Sequence, residues 1–404
     1  MAVGNVEFPV MHAISGIRLG TANAGIKQTE RDDILWVEMN EGATCAAVFT
    51  QNAFCAAPVV VARENLQQEP ACLLINSGNA NAGTGAQGML DAQATCHAVA
   101  ELAQKKSAQI LPFSTGVIGE RLPVTKLIAA LPKAQAKLQE DNWRNAAHAI
   151  MTTDTFAKGY SKRTEILGHT ITITGISKGA GMIQPNMATM LGFMATDVNI
   201  SQELLQSSLS RAADQSFNRI TVDGDTSTND ACVVMASGKS SLPELLPNTE
   251  AMDLFQQALQ DACMQLAEAI IRDGEGATKL IKINVQEAIN EAEAVQVAKT
   301  IAHSPLVKTA FFASDPNWGR ILAAVGRAGV EQLDVEKISI YLDDVCIVEN
   351  GACATTYTEA AGQEVMNQQE INVTVVLGRG EVTQQVLTCD FSYDYVRINA
   401  EYRT

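Results

Sequence analysis

The sequence lacks the residue patterns that mark a metal centre or a disulfide framework. Its nine cysteines stand singly, with no CxxC pair, and its five histidines form neither an HExxH nor an HxH pair. An odd number of scattered cysteines, most of them among apolar residues, is typical of small core residues in a reducing compartment. We therefore predict no metal ion, no disulfide bond and a cytoplasmic location.

Long apolar runs and an excess of positive charge are also missing. The least polar long stretch, Gly179–Ala195, is interrupted by Gln184, Pro185 and Asn186, so it cannot span a membrane. The first residues contain neither a basic segment nor a long apolar run, which predicts no signal peptide. Acidic residues number 45 against 29 basic ones, giving a formal net charge of −16. Such a charge repels nucleic acid and anionic lipid, so neither is expected as a partner.

What remains is the composition of a globular α/β protein. Hydrophobic residues make up 47% of the 404 residues and charged residues 18%. A chain of this length buries a sizeable core without the help of disulfide bonds or metal ions. Apolar strand-like runs alternate with amphipathic helical runs, which predicts layers of helix over sheet. The predicted strands are Cys45–Thr50, Pro58–Val61, Cys72–Asn76, Ile110–Phe113, Ile171–Ile176, Ala231–Ala236, Leu280–Val285, Val307–Phe312, Ile338–Leu342, Ile371–Leu377 and Val386–Phe391. The predicted helices are Met89–Lys105, Thr125–Leu138, Glu203–Ser216 and Glu250–Arg272.

One motif suggests a nicotinamide site but stands in the wrong context. Gly83–Gly88 fits GxGxxG and precedes a helix. A dinucleotide fold needs that turn directly at the end of a strand, whereas the predicted strand ends near Asn76 and the polar stretch Ser77–Ala82 intervenes. No strand-end Asp or Glu follows about 20 residues further on. A structured Gly/Asn loop is the better interpretation.

The stretch Asp223–Asp230 resembles a calcium loop at first sight. The EF-hand pattern needs Gly at its sixth place and Glu at its twelfth, where this sequence has Thr228 and Val234. We predict no calcium site here. Two interpretations stay open, a surface turn with many short polar caps and a polar pocket placed just before the strand Ala231–Ala236.

The segment Ser177–Gly192 carries the strongest chemical signal. In this segment a lysine and several small residues precede the hydroxyl of Thr189, which stands among apolar neighbours. In one interpretation a buried helix follows Pro185, and Thr189 bonds back to the preceding turn. In the other, Thr189 is a nucleophile. No histidine stands nearby as a base, but a chain break between Ala188 and Thr189 would free an α-amino group for that role.

This segment closely resembles the self-cleaving core of the ornithine acetyltransferase family, the bifunctional glutamate N-acetyltransferase / amino-acid acetyltransferase enzymes of arginine biosynthesis. The matching stretches there are Lys178–Ile183 and Met187–Leu191. The resemblance runs nearly from end to end, and its further motifs are Asn76–Asn81, Ser114–Gly119, Met151–Thr155, Val222–Thr226, Asp315–Arg320 and Asp394–Tyr402.

The resemblance implies a set of site residues. Self-cleavage between Ala188 and Thr189 would give an α segment, 1–188, and a β segment, 189–404, whose first residue is the nucleophile. Thr115 and Gly116 match the oxyanion-hole pair. The positions that match substrate-binding residues are Thr152, Lys178, Thr189, Glu275, Asn399 and Thr404. Thr153 or Thr155 could replace Thr152, and Arg403 stands where the family has a small polar residue.

The opposite charges of two of these residues suggest that they bind different groups of the substrate. We expect Lys178 to bind the α-carboxylate that donor and acceptor share, and Glu275 to meet the side-chain ammonium of ornithine.

The resemblance also implies a fold and a reaction. The fold is a four-layer αββα sandwich of the N-terminal-nucleophile type, assembled as an α2β2 heterotetramer. The reaction moves an acetyl group from N-acetyl-L-ornithine to Thr189 and then to L-glutamate, without metal or organic cofactor. Some members also use acetyl-CoA, and the sequence leaves open which kind this is.

Other functions remain as alternatives. An aminopeptidase or amidase of the same superfamily would pass the acyl group to water. A non-cleaving metabolite-binding protein would keep Thr189 in its core. A nicotinamide enzyme is the most distant alternative.

Overall fold

The computed structural model describes residues 3–4, 7–27, 30–184 and 190–401. These residues form sixteen β-strands and eleven α-helices. The strands are β1 (Ile17–Ala22), β2 (Ile34–Met39), β3 (Thr44–Phe49), β4 (Cys72–Asn79), β5 (Ile110–Val117), β6 (Lys158–Ile166), β7 (His169–Lys178), β8 (Leu191–Thr196), β9 (Ile220–Thr221), β10 (Ala231–Ala236), β11 (Leu280–Ala288), β12 (Ser339–Leu342), β13 (Val345–Glu349), β14 (Ala352–Cys353), β15 (Glu370–Val376) and β16 (Val382–Cys389). The helices are α1 (Ala57–Asn65), α2 (Gly85–Ala103), α3 (Val124–Gln135), α4 (Trp143–Ala149), α5 (Gln202–Asp214), α6 (Glu250–Arg272), α7 (Glu291–Ala302), α8 (Pro305–Phe312), α9 (Trp318–Gly326), α10 (Glu359–Met366) and α11 (Tyr393–Ala400).

Two sheets form the middle of the molecule and pack face to face. The first has the strand order β1-β2-β4-β5, and the second has the order β3-β10-β8-β7-β6. Alternate residues of β4, Leu73 and Ile75, point into the core between the sheets. Phe113 of β5 meets Phe193 of β8 there, edge to face at 5.2 Å between ring centroids.

Helices cover the outer faces of both sheets. The other residues of β4, Cys72 and Leu74, share a core with α2 and α3. On the far side, Met194 and Val234 of the second sheet share a core with α5 and α6. Strands buried on both faces read as continuous apolar runs, which is why β4 and β10 were predictable from the sequence. The predicted four-layer αββα sandwich is confirmed.

A third sheet follows, which the sequence analysis did not distinguish as a separate unit. Its order is β14-β13-β12-β15-β11-β16-β9, and α7, α8, α9 and α10 contribute to the core on its face. Strand β9, from the earlier part of the chain, pairs with β16 at its edge. This pairing joins the third sheet to the sandwich.

Two predicted strands are wrong, because short apolar runs do not distinguish a strand from a buried helix. Pro58–Val61 lies in helix α1, whose first turn accepts Pro58 since N–H groups there have no intrahelical partner. Val307–Phe312 lies in helix α8, which begins with Pro305 and is capped by the Ser304 hydroxyl, the acceptor of the Val307 N–H. Ser followed by Pro was the signal of a helix start.

Helix α6 confirms its prediction at both ends. Thr249 caps it by accepting the Met252 N–H. Its last residue, Arg272, leads directly into the segment that carries Glu275, so the length of this helix determines where that carboxylate lies.

The Gly-rich loop is not a dinucleotide turn. Strand β4 continues to Asn79, three residues beyond the prediction, and helix α2 begins only at Gly85. The loop between them is held by its own polar groups. The Thr84 hydroxyl donates to Oδ1 of Asn81 at 2.9 Å, and Nδ2 of Asn81 donates to the Gly88 carbonyl at 2.9 Å.

The structure also describes the cysteines and the apolar character of the helices. All nine cysteines lie within the described residues, and all are free thiols. Across the described part of the chain, no helix combines the length and apolar character needed to cross a bilayer.

Candidate active site

Two neighbouring parallel strands place the predicted oxyanion-hole pair. Strands β4 and β5 run side by side with Gly78 opposite Gly116. Gly116 has φ +135°, and a Cβ added there would lie 2.2 Å from the carbonyl carbon of Gly78. Only glycine fits this backbone. Thr115, directly before it, is buried, with 9% of its surface exposed.

Lys178 reaches this pair from the second sheet. It is the last residue of β7, and its Nζ donates to Oγ1 of Thr115 at 3.2 Å. A hydroxyl that accepts one hydrogen bond still has its own hydrogen to donate. Thr115 therefore presents a donor, and Lys178 a positive charge, on one side of a cavity of about 270 Å³.

Glu275 and Asn399 lie on the same cavity. Nδ2 of Asn399 donates to Oε2 of Glu275 at 2.9 Å. The backbone of Glu275 is fixed by its N–H, which donates to the Ala180 carbonyl at 2.8 Å. A Cβ added to Gly181 would lie 2.3 Å from Oε2, so the glycine leaves room for the carboxylate. This explains why a glycine stands at position 181.

The three threonines considered as substrate contacts do not all lie on the cavity. Thr152 and Thr153 both line the cavity. The Thr155 hydroxyl and N–H both donate to the carboxylate of Asp273 instead. The N–H of Thr152 donates to Oδ2 of Asp154 at 2.9 Å, which holds this turn in place.

The cavity therefore brings together six of the predicted site residues, although they come from distant parts of the chain. They are Thr115, Gly116, Thr152, Lys178, Glu275 and Asn399. Ala188, Thr189 and Thr404 lie outside the described residues. Met190 and Leu191, the first described residues after Thr189, line the cavity. Their proximity supports a common site, and the individual roles stay predictions.

The polar loop before β10 forms part of this cavity. Its lining residues are Ser227, Thr228, Asn229 and Asp230, so the pocket interpretation of this stretch holds. Asp223, at the start of the loop, accepts the N–H groups of Met182 and Ile183 at 2.7 and 2.9 Å. Burial raises the pKa of the Asp223 carboxyl group, against the effect of these hydrogen bonds. Among the described residues, no cluster of His, Cys, Asp and Glu is arranged to bind a metal ion.

Comparison with known proteins identifies the family. A sequence model of the ArgJ family matches residues 18–404, almost the whole chain. The chain belongs to the ArgJ family.

Named relatives agree with this assignment. The chain is 63% identical over 391 residues to the arginine biosynthesis bifunctional protein ArgJ of Methylococcus capsulatus, covering 97% of this chain and 96% of that protein. It is 54% identical to the protein of the same name from Pseudomonas fluorescens, with 100% of both chains covered. The crystal structure of the arginine biosynthesis bifunctional protein ArgJ of Bacillus halodurans is similar, with a TM-score of 0.51 and 46% identity, covering 53% of this chain and 100% of that chain. The family predicted from the motifs is confirmed.

In this ArgJ-family chain, sequence reasoning missed Asn229, which holds strand β5 next to Thr115 and Gly116. Nδ2 of Asn229 donates to the carbonyls of Ala80 and Ser114, at 2.6 and 3.0 Å. The Ser114 hydroxyl in turn donates to Oδ1 of Asn76 at 2.6 Å. A run of short polar residues before a strand was the only signal, and it does not say which carbonyls an amide will reach.

A buried charge network behind the cavity was also missed. Nζ of Lys158 lies 2.6 Å from Oδ1 of Asp154 and 2.5 Å from Oδ2 of Asp273. Asp154 also accepts the N–H of Gly179, the residue after Lys178, at 2.7 Å. Burial alone raises the pKa of Asp154, but the charges of Lys158 and Lys178, together with hydrogen bonds, outweigh it and hold that pKa below its usual range. The network thus fixes the backbone around Thr152, Lys178 and the approach to Glu275.

Replacing Lys158 with methionine is expected to destabilise the fold by about 3–5 kcal/mol, because it removes the one ammonium group that pairs directly with both buried carboxylates. Urea denaturation of both proteins measures the change in unfolding free energy. Lys282→Met is the matched control. Its Nζ lies 3.7 and 3.8 Å from the partly exposed carboxylates of Glu268 and Glu370, and such pairs contribute at most about 1 kcal/mol. Equal losses in the two variants contradict the argument.

Proposed function

We propose that this protein transfers the acetyl group of N-acetyl-L-ornithine to L-glutamate, through an acetyl ester on Thr189 formed after cleavage between Ala188 and Thr189. The observation that carries the proposal is the cavity, where a donor pair, a cation and an anion converge beside Met190. Family membership adds that its relatives are named as bifunctional proteins of arginine biosynthesis. The reaction is ping-pong, since one site holds the two amino acids in turn.

Each side of the cavity suits one part of the substrate. The Thr115 hydroxyl and the Gly116 N–H suit the oxygen that becomes negative as the acetyl carbonyl is attacked. The Lys178 ammonium suits the α-carboxylate that N-acetyl-L-ornithine and L-glutamate share. Glu275, which is 7% exposed, suits the side-chain ammonium of ornithine, and Asn399 orients its carboxylate. No organic cofactor or metal is needed for this chemistry.

The strand order of the second sheet supports a cleavage that leaves the fold intact. Strands β3, β6 and β7 precede residue 188, whereas β8 and β10 follow residue 189 and lie between β3 and β7 in the same sheet. Strand β8 pairs with β7 on one side and with β10 on the other. The solved relative gives a second support. The whole of that solved chain matches 53% of this one, and residues 189–404 make up the same share, 216 of 404.

Two further features are part of the proposal. We expect acetyl-CoA to serve as an alternative acetyl donor, as the word bifunctional in the names of the relatives suggests. We expect the two segments to stay associated and to pair as an α2β2 heterotetramer. The nine free thiols support a reducing location, the cytoplasm.

Replacing Glu275 with lysine is expected to raise the KM for N-acetyl-L-ornithine by roughly 10-fold or more, because a charge-assisted hydrogen bond becomes a repulsion. The KM for L-glutamate should change less, since glutamate carries no side-chain ammonium. Steady-state kinetics with each substrate varied measures both. Glu244→Lys, at an exposed site, is the control for the added charge. An unchanged KM for N-acetyl-L-ornithine contradicts the role of Glu275.

Intact mass under denaturing conditions, with and without N-acetyl-L-ornithine, tests the proposal directly. The expected result is two fragments, 1–188 and 189–404, with the second gaining one acetyl group. A single uncut and unacetylated chain contradicts the proposal and favours a binding protein. Cleavage together with release of acetate, and no N-acetylglutamate when L-glutamate is present, also contradicts it and favours a hydrolase.

A further inference from the structure

A second cavity, beside the active one, has no place in the roles described so far. It is a groove of about 470 Å³ between residues 53–55, helix α1 and the Gly-rich loop 83–85. Phe54 forms part of its wall with 64% of its surface exposed, and we call this cavity the Phe54 groove. A large aromatic ring exposed on the wall of a cavity is typical of a binding site, since covering it with a ligand is favourable.

The Gly-rich loop separates the Phe54 groove from the active cavity. Ile118 lines the active cavity, and Gly83 lines the groove. A Cβ added to Gly83 would lie 3.6 Å from Cγ2 of Ile118 and 3.7 Å from Cε1 of Phe54. The N–H of Gly119 donates to the carbonyl of Ala82 at 2.9 Å, which fixes this arrangement. Because Gly83 has no side chain, its backbone leaves a path for a thin ligand from one cavity to the other.

A second wall of the groove is tied to the polar loop of the active cavity. The Thr50 hydroxyl donates to the carbonyl of Ser227 at 2.8 Å, and the N–H of Ala56 donates to the carbonyl of Thr228 at 2.9 Å. Both acceptor residues line the active cavity, and both donors flank residues 53–55. The groove therefore keeps a fixed position relative to the active cavity.

The active cavity is too small to enclose the alternative donor, acetyl-CoA. It has a volume of about 270 Å³, below the range of pockets that hold drug-sized ligands, and coenzyme A is larger than such ligands. The acetyl thioester stands at the end of a long, uncharged pantetheine arm, and the phosphate groups lie at the other end. The arm must therefore leave the active cavity through one of its sides.

Charge favours the side of the Phe54 groove. Glu275 lines the active cavity, so phosphate groups that left past it would meet a carboxylate. Among the described residues that line the groove, none is charged. A cation stands close to it, since Nη2 of Arg63 donates to the Thr50 carbonyl at 3.0 Å. Burial raises the pKa of the Cys55 thiol in the groove, and the positive charge of Arg63 acts in the opposite direction.

We propose that the Phe54 groove binds the pantetheine arm of acetyl-CoA and leads its thioester past Gly83 and Ile118 to the active cavity. The proposal rests on the proposed use of acetyl-CoA and adds no chemical step to it. The apolar walls suit the methyl and methylene groups of the arm, and the backbone of the Gly-rich loop suits its two amides. The GxGxxG motif at Gly83–Gly88 thereby gains a role that needs no dinucleotide fold.

The test is Ala53→Trp, which fills the groove from an exposed position. We expect the KM for acetyl-CoA to rise roughly 10-fold or more, because the indole takes the place of the arm. The KM and kcat with N-acetyl-L-ornithine should stay the same, since this smaller donor fits within the active cavity. Steady-state formation of N-acetylglutamate, with each donor varied in turn, measures both, and unchanged transfer from N-acetyl-L-ornithine shows that the variant is folded.

Ala292→Trp is the matched control. Ala292 is an exposed residue of helix α7 and lines neither cavity, so its replacement should change neither KM. An unchanged KM for acetyl-CoA in Ala53→Trp, or an equal rise in KM for both donors, overturns the proposal.

Binding to the groove is also measured without turnover, in the unchanged protein. Cys55 lines the groove and is half-buried, whereas Cys353 is exposed and lies outside it. We expect S-ethyl-coenzyme A, a thioether that cannot transfer an acetyl group, to slow the alkylation of Cys55 by N-ethylmaleimide several-fold and to leave Cys353 unaffected. Peptide mass spectrometry measures both rates, and a Cys55 rate that does not change overturns the proposal. Failure of the proposed function is seen separately, as no N-acetylglutamate from either donor.

Discussion

Replacing Thr189 with alanine is expected to leave the chain uncut and to lower acetyl transfer by roughly 10⁴-fold or more, since the proposed mechanism uses one hydroxyl as the nucleophile in both reactions. In the proposed self-cleavage, this hydroxyl attacks the carbonyl of Ala188. In the proposed transfer, the same oxygen carries the acetyl group. Denaturing mass spectrometry measures the first loss, and the rate of N-acetylglutamate formation measures the second.

Thr189→Ser is the matched control for this variant. Serine keeps the hydroxyl and loses only a methyl group, so it should still cleave and still form an acetyl ester. Cleavage of Thr189→Ala would show that another group cuts the chain. Transfer by an uncut Thr189→Ala chain would remove the nucleophile assignment altogether.

Replacing Thr115 with valine is expected to lower kcat roughly 10²–10³-fold, the usual cost of one lost oxyanion donor. Valine matches threonine in shape, so the buried strand β5 should keep its position. The hydroxyl also accepts a hydrogen bond from Lys178, and its loss frees that ammonium to reorient. We therefore expect a smaller rise in the KM for N-acetyl-L-ornithine beside the large fall in kcat.

Thr115→Ser should recover most of the lost rate, because it restores a hydroxyl at the same place. Unfolding midpoints of the two variants show whether both are folded. A folded Thr115→Val protein with unchanged kcat contradicts the oxyanion role. A rise in KM alone would instead assign Thr115 to substrate binding through Lys178.

The sequence predicted elements best where the local pattern was long. Helix α6 has 23 residues with a repeated apolar stripe and a capping threonine, and its predicted ends match the structure. The apolar runs at Pro58–Val61 and Val307–Phe312 are short, and their helices are decided by packing. In both helices the apolar residues pack against sheets: Val59 and Val61 in α1, and Val307 and Phe311 in α8. A strand or a helix could have buried these short runs equally well.

By itself, the sequence determined the family, because the motifs that carry it are residues close together in the chain. The order from Lys178 to Thr189, the small residues between them and the adjacent pair Thr115 and Gly116 carry the family and the proposed nucleophile. Composition and cysteine spacing were equally readable, because they need no knowledge of contacts.

Only the tertiary structure decided which of these residues meet. Lys178 reaches Thr115 across 63 residues of sequence, and Asn399 reaches Glu275 across 124. The pairing of Lys158 with two buried carboxylates was not visible in the sequence. Such contacts follow from strand order and sheet packing, and burial then sets the charge state of each group. Local spacing encodes helices and turns, but it does not encode which distant strands become neighbours.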